Sequence, residues 1–162
     1  LRNALRRFAL AALIAPAAIG AALMIASPAE AAPKASEVSL QAEINRLVDV
    51  ERTANGCAAL TVNDQLTTAA RNHSGWMAQT GEFSHTGKAG SDFFARVAEA
   101  GYAKPAAENI AWGYRSAEQV VASWMKSPGH RANILNCANT TVGVGAVYAE
   151  SGTPYYTQNF GS

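Results

Sequence analysis

Thr141-Val142-Gly143-Val144-Gly145-Ala146-Val147-Tyr148 is the stretch that decides the fold class. Its apolar period is two: Val142, Val144, Ala146 and Tyr148 alternate with Thr141, Gly143, Gly145 and Val147, the pattern of a strand. Ser151-Gly152-Thr153-Pro154 supplies a turn and Tyr155 to Phe160 a second strand, so an antiparallel hairpin is predicted at the C-terminus. Glycines inside a strand pattern, here Gly143 and Gly145, mark places where another backbone or side chain comes close.

Upstream of this hairpin the period is helical. Leu40, Ile44, Leu47 and Val48 predict a first helix over 38–54, stopped by Asn55-Gly56. A short apolar piece, Ala58 to Val62, leads to Asn63-Asp64, an N-terminal cap for a second helix. That helix presents Leu66, Ala69, Ala70, His73 and Met77 on one face and ends at Gly81. A third helix is predicted from Ser91-Asp92 to Gly101 with Phe93, Phe94 and Val97 inward, then a strand over 107–113. Ser116 followed three residues later by Gln119 reads as a capping box for a fourth helix, with Val120, Val121 and Trp124 inward. Pro128 suits the first position of a short helix reaching Leu135. Helices come before strands without regular alternation, so the class is α+β, with helices packed on a small antiparallel sheet.

The other end of the chain reads differently. Arg2, Arg6 and Arg7 precede a run from Phe8 to Ala29 that carries no charge, and Ala29-Glu30-Ala31 fits a signal-peptidase site. The expectation is an export signal over 1–31, a linker over 32–37 and one domain over 38–162, secreted and without a stable membrane span after cleavage. The chain has 162 residues and a formal charge of +1. Its thirteen Lys and Arg less those three leave ten, and its twelve acids less Glu30 leave eleven, so the exported part carries −1. No electrostatic case for nucleic acid remains. Cys57 and Cys137 are the only cysteines, and outside the cytoplasm their expected state is a disulfide.

Few residues offer chemistry. There is no His-Glu-x-x-His, no nucleophile elbow and no phosphate-cradling glycine loop. Of three histidines, His73 lies on an apolar helix face and reads as a satisfied core residue, whereas His85 follows a helix in a polar loop and His130 opens a short helix. Glu108 is the one acid in Ala106-Ala107-Glu108-Asn109-Ile110-Ala111, where an unpartnered charge is costly. His85, Glu108 and His130 are a ligand set that zinc accepts, with a fourth position left for water. Three readings stay open: a binding cleft holding a divalent cation, a metal-dependent hydrolase with Glu108 as general base, or a hydrogen-bonded scaffold around Glu108.

Five segments in order resemble the secreted bacterial branch of the CAP superfamily, the cysteine-rich secretory, antigen 5 and pathogenesis-related 1 proteins with an SCP-like domain. They are Phe83-Ser84-His85-Thr86-Gly87, Ala107-Glu108-Asn109-Ile110-Ala111, Trp124 to Leu135 around Ser127-Pro128-Gly129-His130-Arg131, Val142-Gly143-Val144-Gly145, and Tyr156-Thr157-Gln158-Asn159-Phe160-Gly161. The resemblance implies a three-layer α-β-α sandwich with a central cleft. It further implies that His85, Glu108, Asn109, His130, Arg131, Asn133, Thr157 and Gln158 are the cleft and motif residues. The family's second acid would fall at Ser127 and its second histidine at Tyr155, and His130 is the substitute this branch offers. The partners it implies are extracellular: a lipid, an envelope component or a host molecule.

Overall fold

A computed structural model of the protein describes residues 35–162. The export signal expected over 1–31 and the start of the linker over 32–37 lie outside the described residues. Ser36 already caps the first helix, its Oγ accepting from Ser39 N at 3.1 Å, so the linker ends there and helix α1 spans Glu37–Ala54. Next in order are β1 (Thr61–Val62), α2 (Asp64–Thr80), α3 (Phe93–Glu99), β2 (Pro105–Trp112), α4 (Ala117–Lys126), α5 (Pro128–Ile134), β3 (Thr141–Tyr148) and β4 (Pro154–Gly161).

The caps behave as the sequence chemistry requires. Asn63 Oδ1 accepts from Leu66 N at 2.9 Å to open α2, and Gly81 closes it with φ +75°, a left-handed conformation that costs glycine little. Asp92 Oδ1 accepts from Ala95 N at 2.7 Å to open α3. At α4 the expected box is shifted: Ser116 Oγ accepts from Gln119 N, but Gln119 Oε1 reaches past Ser116 to Arg115 N. Phe94, expected inward on α3, is 56% exposed, because a helix this short has room on its buried face only for Phe93 and Val97.

The sheet has four strands in the order β1-β3-β4-β2. The antiparallel hairpin β3–β4 forms as expected and the strand expected after α3 pairs antiparallel with β4 as β2, but β1 joins β3 in parallel, so the sheet is mixed. The short apolar piece before α2 therefore becomes an edge strand. Helices cover both faces. Val142, Val144, Ala146, Tyr156 and Phe160 point into the larger core with Leu40, Ile44 and Val48 of α1 and Val120 and Trp124 of α4. The opposite face meets α2 and α3. There a Cβ on Gly143 would stand 2.1 Å from Thr67 N, and one on Gly145 2.4 Å from Ala70 C, so the backbone of α2 rests directly on these glycines. The result is a three-layer α-β-α sandwich.

Two devices tie the layers at their margins. Arg52 of α1 is buried, and its guanidinium donates to the carbonyls of Ala58, Ile134, Asn136 and Asn139 at 2.7–3.0 Å. Burial pulls its pKa below the ordinary range, and the four carbonyls keep each of its nitrogens partnered. The Cys57–Cys137 disulfide lies in the same region, closing 80 residues of sequence separation. On the edge strand β2, even-numbered residues direct their backbone groups away from β4, consistent with Gly113 N pairing with Pro154 O. Trp124 Nε1 of α4 donates to Ile110 O at 3.1 Å and Asn133 Nδ2 of α5 to Glu108 O at 3.4 Å, so two outward carbonyls of that edge are met by side chains.

Candidate functional site

Glu108 and Asn109 sit mid-strand on β2 and face opposite layers. Glu108 looks toward α2 and α3, where its side chain is 3% exposed. Arg96 of α3 meets it: one guanidinium nitrogen, Nη2, spans both carboxylate oxygens at 2.9 and 2.7 Å. The Arg96 side chain is itself only 9% exposed. Its Nη1 donates to His85 O at 3.0 Å and Ser91 O at 2.8 Å, pinning the loop between α2 and α3. From that loop His85 Nδ1 donates to Glu108 Oε1 at 2.9 Å while the rest of its ring is open to solvent. Asn159, opposite Glu108 on β4, completes the set, its amide oriented by its neighbours to donate to Oε2 at 3.2 Å. Each carboxylate oxygen thus has two partners.

The other face carries a second, linked network. Asn109 Nδ2 donates to Gln158 Oε1 at 3.1 Å and to His130 O at 3.3 Å, and Asn133 Nδ2 donates to Asn109 Oδ1 at 2.9 Å. Asn139 Nδ2 in turn donates to Asn133 O, and Asn139 O accepts from Arg52. Thr157 belongs to the first face, its Oγ1 accepting from Ser74 Oγ of α2 at 2.9 Å. Gln158 Nε2 is buried without a partner among the described residues.

Of the residues singled out by sequence, the structure brings His85 and Glu108 into contact and gathers Asn109, Asn133 and Gln158 behind them. His130 enters through its carbonyl; no hydrogen bond joins its ring to His85 or Glu108 among the described residues. Burial, with the nearby His85, lowers the His130 pKa. Arg131 turns away, its Nη2 reaching Asn55 Oδ1 at 3.4 Å. His73 is buried as expected but only half satisfied: Nε2 donates to Ser84 O at 2.9 Å, and Nδ1 has no partner among the described residues. Sequence reasoning missed Arg96 altogether, although a buried Glu108 demanded a cation.

The zinc expectation can be tested on the donor set. Among the described residues no three His, Cys, Asp or Glu side chains are grouped as metal ligands. A cation on Glu108 would have to take the place that the Arg96 guanidinium occupies, and the His130 ring makes no hydrogen bond to Glu108 among the described residues. The residues as arranged do not fit a zinc centre. Where the family pattern puts a second histidine, Tyr155 lies 7% exposed under Trp112, with ring centroids 6.2 Å apart. Ser127, at the position of the second acid, precedes Pro128 at the head of α5.

Comparison with known proteins bears on the family and the fold. A profile of the cysteine-rich secretory protein family, CAP, matches residues 46–160. YkwD of Bacillus subtilis (strain 168) is 38% identical over 119 residues, covering 73% of this chain and 45% of its own length, so the chain spans less than half of that relative. An extracellular protein containing an SCP domain from Bacillus anthracis str. Ames superposes with a TM-score of 0.71 at 28% identity, covering 77% of this chain and 41% of that one. A cysteine-rich secretory protein from Staphylococcus aureus subsp. aureus Mu50 shares the fold with a TM-score of 0.66 at 19% identity, covering 79% and 40%. With the five sequence segments assembled on one sandwich and the profile spanning most of it, this chain belongs to the CAP family.

Proposed function

We propose that this chain is secreted and acts outside the cytoplasm as a non-enzymatic binding module, with Glu108 as its internal brace. The uncharged run after Arg7, the Ala29-Glu30-Ala31 site and the disulfide support export, as does the extracellular relative from Bacillus anthracis. No described helix is long and apolar enough to cross a membrane.

The observation that carries the reading is the full occupation of Glu108. A general base needs a lone pair aimed at water or substrate, and a zinc ligand needs one aimed at the ion. Here Arg96, His85 and Asn159 take both oxygens. The ligand then meets the protein beside this brace, at the hollow lined by Phe83, Trp112 and His130.

Isothermal titration of the full chain with zinc, and screening of peptide and ester substrates with and without chelator, test the proposal. The expected outcome is no stoichiometric zinc binding and no chelator-sensitive turnover. Tight zinc binding that disappears in a His85→Ala, His130→Ala double variant overturns it, as does hydrolysis lost in Glu108→Gln.

A further inference from the structure

A binding module needs a ligand, and the shape of the molecule beside Glu108 narrows the ligand's class, on the premise that the binding-module reading holds. Next to the brace lies a hollow of about 200 Å³, bounded by the end of β2, the middle of α4, the head of α5 and the loop after α2. Six of its lining residues set its character: Phe83, Trp112, Tyr114, Ser123, Trp124 and His130. Trp112 is backed on one side by Tyr155, with planes 21° apart, yet 52% of the residue is exposed, which leaves indole surface open. Phe83, 46% exposed, stands at 50° to it and forms a second aromatic wall.

Among the described residues, no Lys, Arg, Asp or Glu lines the hollow. Its polar groups are the hydroxyls of Tyr114 and Ser123, 2.6 Å apart, and the His130 imidazole, whose pKa is lowered by burial and the nearby His85. Whichever hydroxyl accepts in that pair still has its own proton to donate outward. The backbone N–H of Trp112 points to the same free edge of the sheet that Trp124 reaches from α4.

These features select a ligand. A charged group finds no counter-charge here. A long acyl chain or a fused-ring lipid needs more enclosed apolar volume, since sites for drug-sized molecules run from roughly 300 Å³ upward. A flat, open π face rimmed by neutral donors and acceptors suits a ring that is apolar on its faces and hydroxylated around its edge. The C–H bonds on one face of a pyranose meet the negative face of an indole, while its hydroxyls reach the rim. Because the hollow is open, further sugar units extend outward without steric conflict. We propose that this hollow is a subsite for a neutral saccharide, one pyranose ring stacking on Trp112 with its hydroxyls directed to Tyr114, Ser123 and His130.

The full chain is titrated with two neutral trisaccharides, chitotriose and cellotriose, and in parallel with N-acetyl-phenylalaninamide. Tryptophan fluorescence and saturation-transfer NMR are the readouts. The expected result is saturable binding of at least one trisaccharide, weakened about tenfold or more in Trp112→Ala. That variant should keep its circular dichroism and Tm, because the residue is 52% exposed. Ser123→Ala, which leaves the aromatic face intact, should weaken binding less. Absence of saturable binding by either trisaccharide overturns the proposal, and so does binding that Trp112→Ala leaves unchanged. Binding of the aromatic amide alone overturns the saccharide assignment while leaving the binding-module reading in place. Cleavage of a bound trisaccharide overturns the non-enzymatic reading while leaving the subsite in place.

Discussion

Replacing Glu108 by Gln tests whether the brace is structural. The substitution keeps length and shape but removes the charge, and it turns one oxygen that accepts from Arg96 into an NH₂ that faces it. Arg96, with a side chain 9% exposed, is then a buried cation opposite a neutral amide. Breaking a buried pair by removing one partner costs about 3 to 5 kcal/mol. Arg96 retains the carbonyls of His85 and Ser91 as acceptors, which places the expected loss near the lower end, about 3 kcal/mol. For a domain of this size that lowers Tm by on the order of 10 °C. Urea unfolding of wild type, Glu108→Gln, Arg96→Gln and the double variant, each with and without chelator, gives the loss and the coupling between the two sites. The double variant should be less destabilised than the sum of the single ones by about 1 kcal/mol or more. A loss below about 1 kcal/mol in Glu108→Gln, or one seen only after chelation, would refute the brace.

Two further outcomes concern the packing and the histidines. Gly143→Ala puts a methyl where the backbone of α2 already lies, 2.1 Å from Thr67 N and 2.2 Å from Leu66 C. Helix and sheet must separate, at a cost of about 3 kcal/mol, readable as a fall in urea midpoint that Gly75→Ala, with open space around it, does not share. His73 and His130 both have pKa values lowered by burial from the ordinary 6.5. The unfolded chain therefore binds protons before the folded one does, so stability is fully present above about pH 6.5 and declines as pH falls below it. The decline in urea midpoint between neutral pH and pH 5 should shrink in His73→Gln. An unchanged pH slope would show that His73 is not its source.

Much of this domain is legible in the sequence because its signals are local. Asn63, Asp92 and Gly81 act at helix ends through bonds to residues three or four positions away. The change of period at Thr141 marks a hairpin whose strands are neighbours in sequence. The glycines within it foretell the approach of another element, though not that α2 is the one that comes. What stays hidden depends on distant pairing. Thr61 and Val62 become a strand only because Thr141 and Val142 lie alongside them, and no local pattern in two residues announces that. The site shows the same division. Glu108 in an apolar strand makes a partner necessary, but Arg96 follows the exposed Phe94 and Ala95 on a short helix, and only the crossing of α3 over β2 turns it inward. The expectation of a metal rests on residue types, which cannot reveal that a guanidinium already fills the place. His130 and Arg131 belong to one sequence segment, yet neighbouring positions on a helix point about 100° apart, and Arg131 reaches Asn55 instead of the Glu108 cluster.

The hydrogen bonds that Trp124 and Asn133 make to β2 bear on how this domain behaves when crowded. A strand can recruit a second chain only if its outward N–H and C=O groups are both free along several residues. At Ile110 and Glu108 the carbonyl half of that template is consumed from within, by side chains of α4 and α5. The opposite edge of the sheet is the two-residue β1, too short to propagate a ladder. A protein displayed at high density can thus keep neighbours from zippering onto it, and the same tryptophan that anchors α4 in the core serves as the guard.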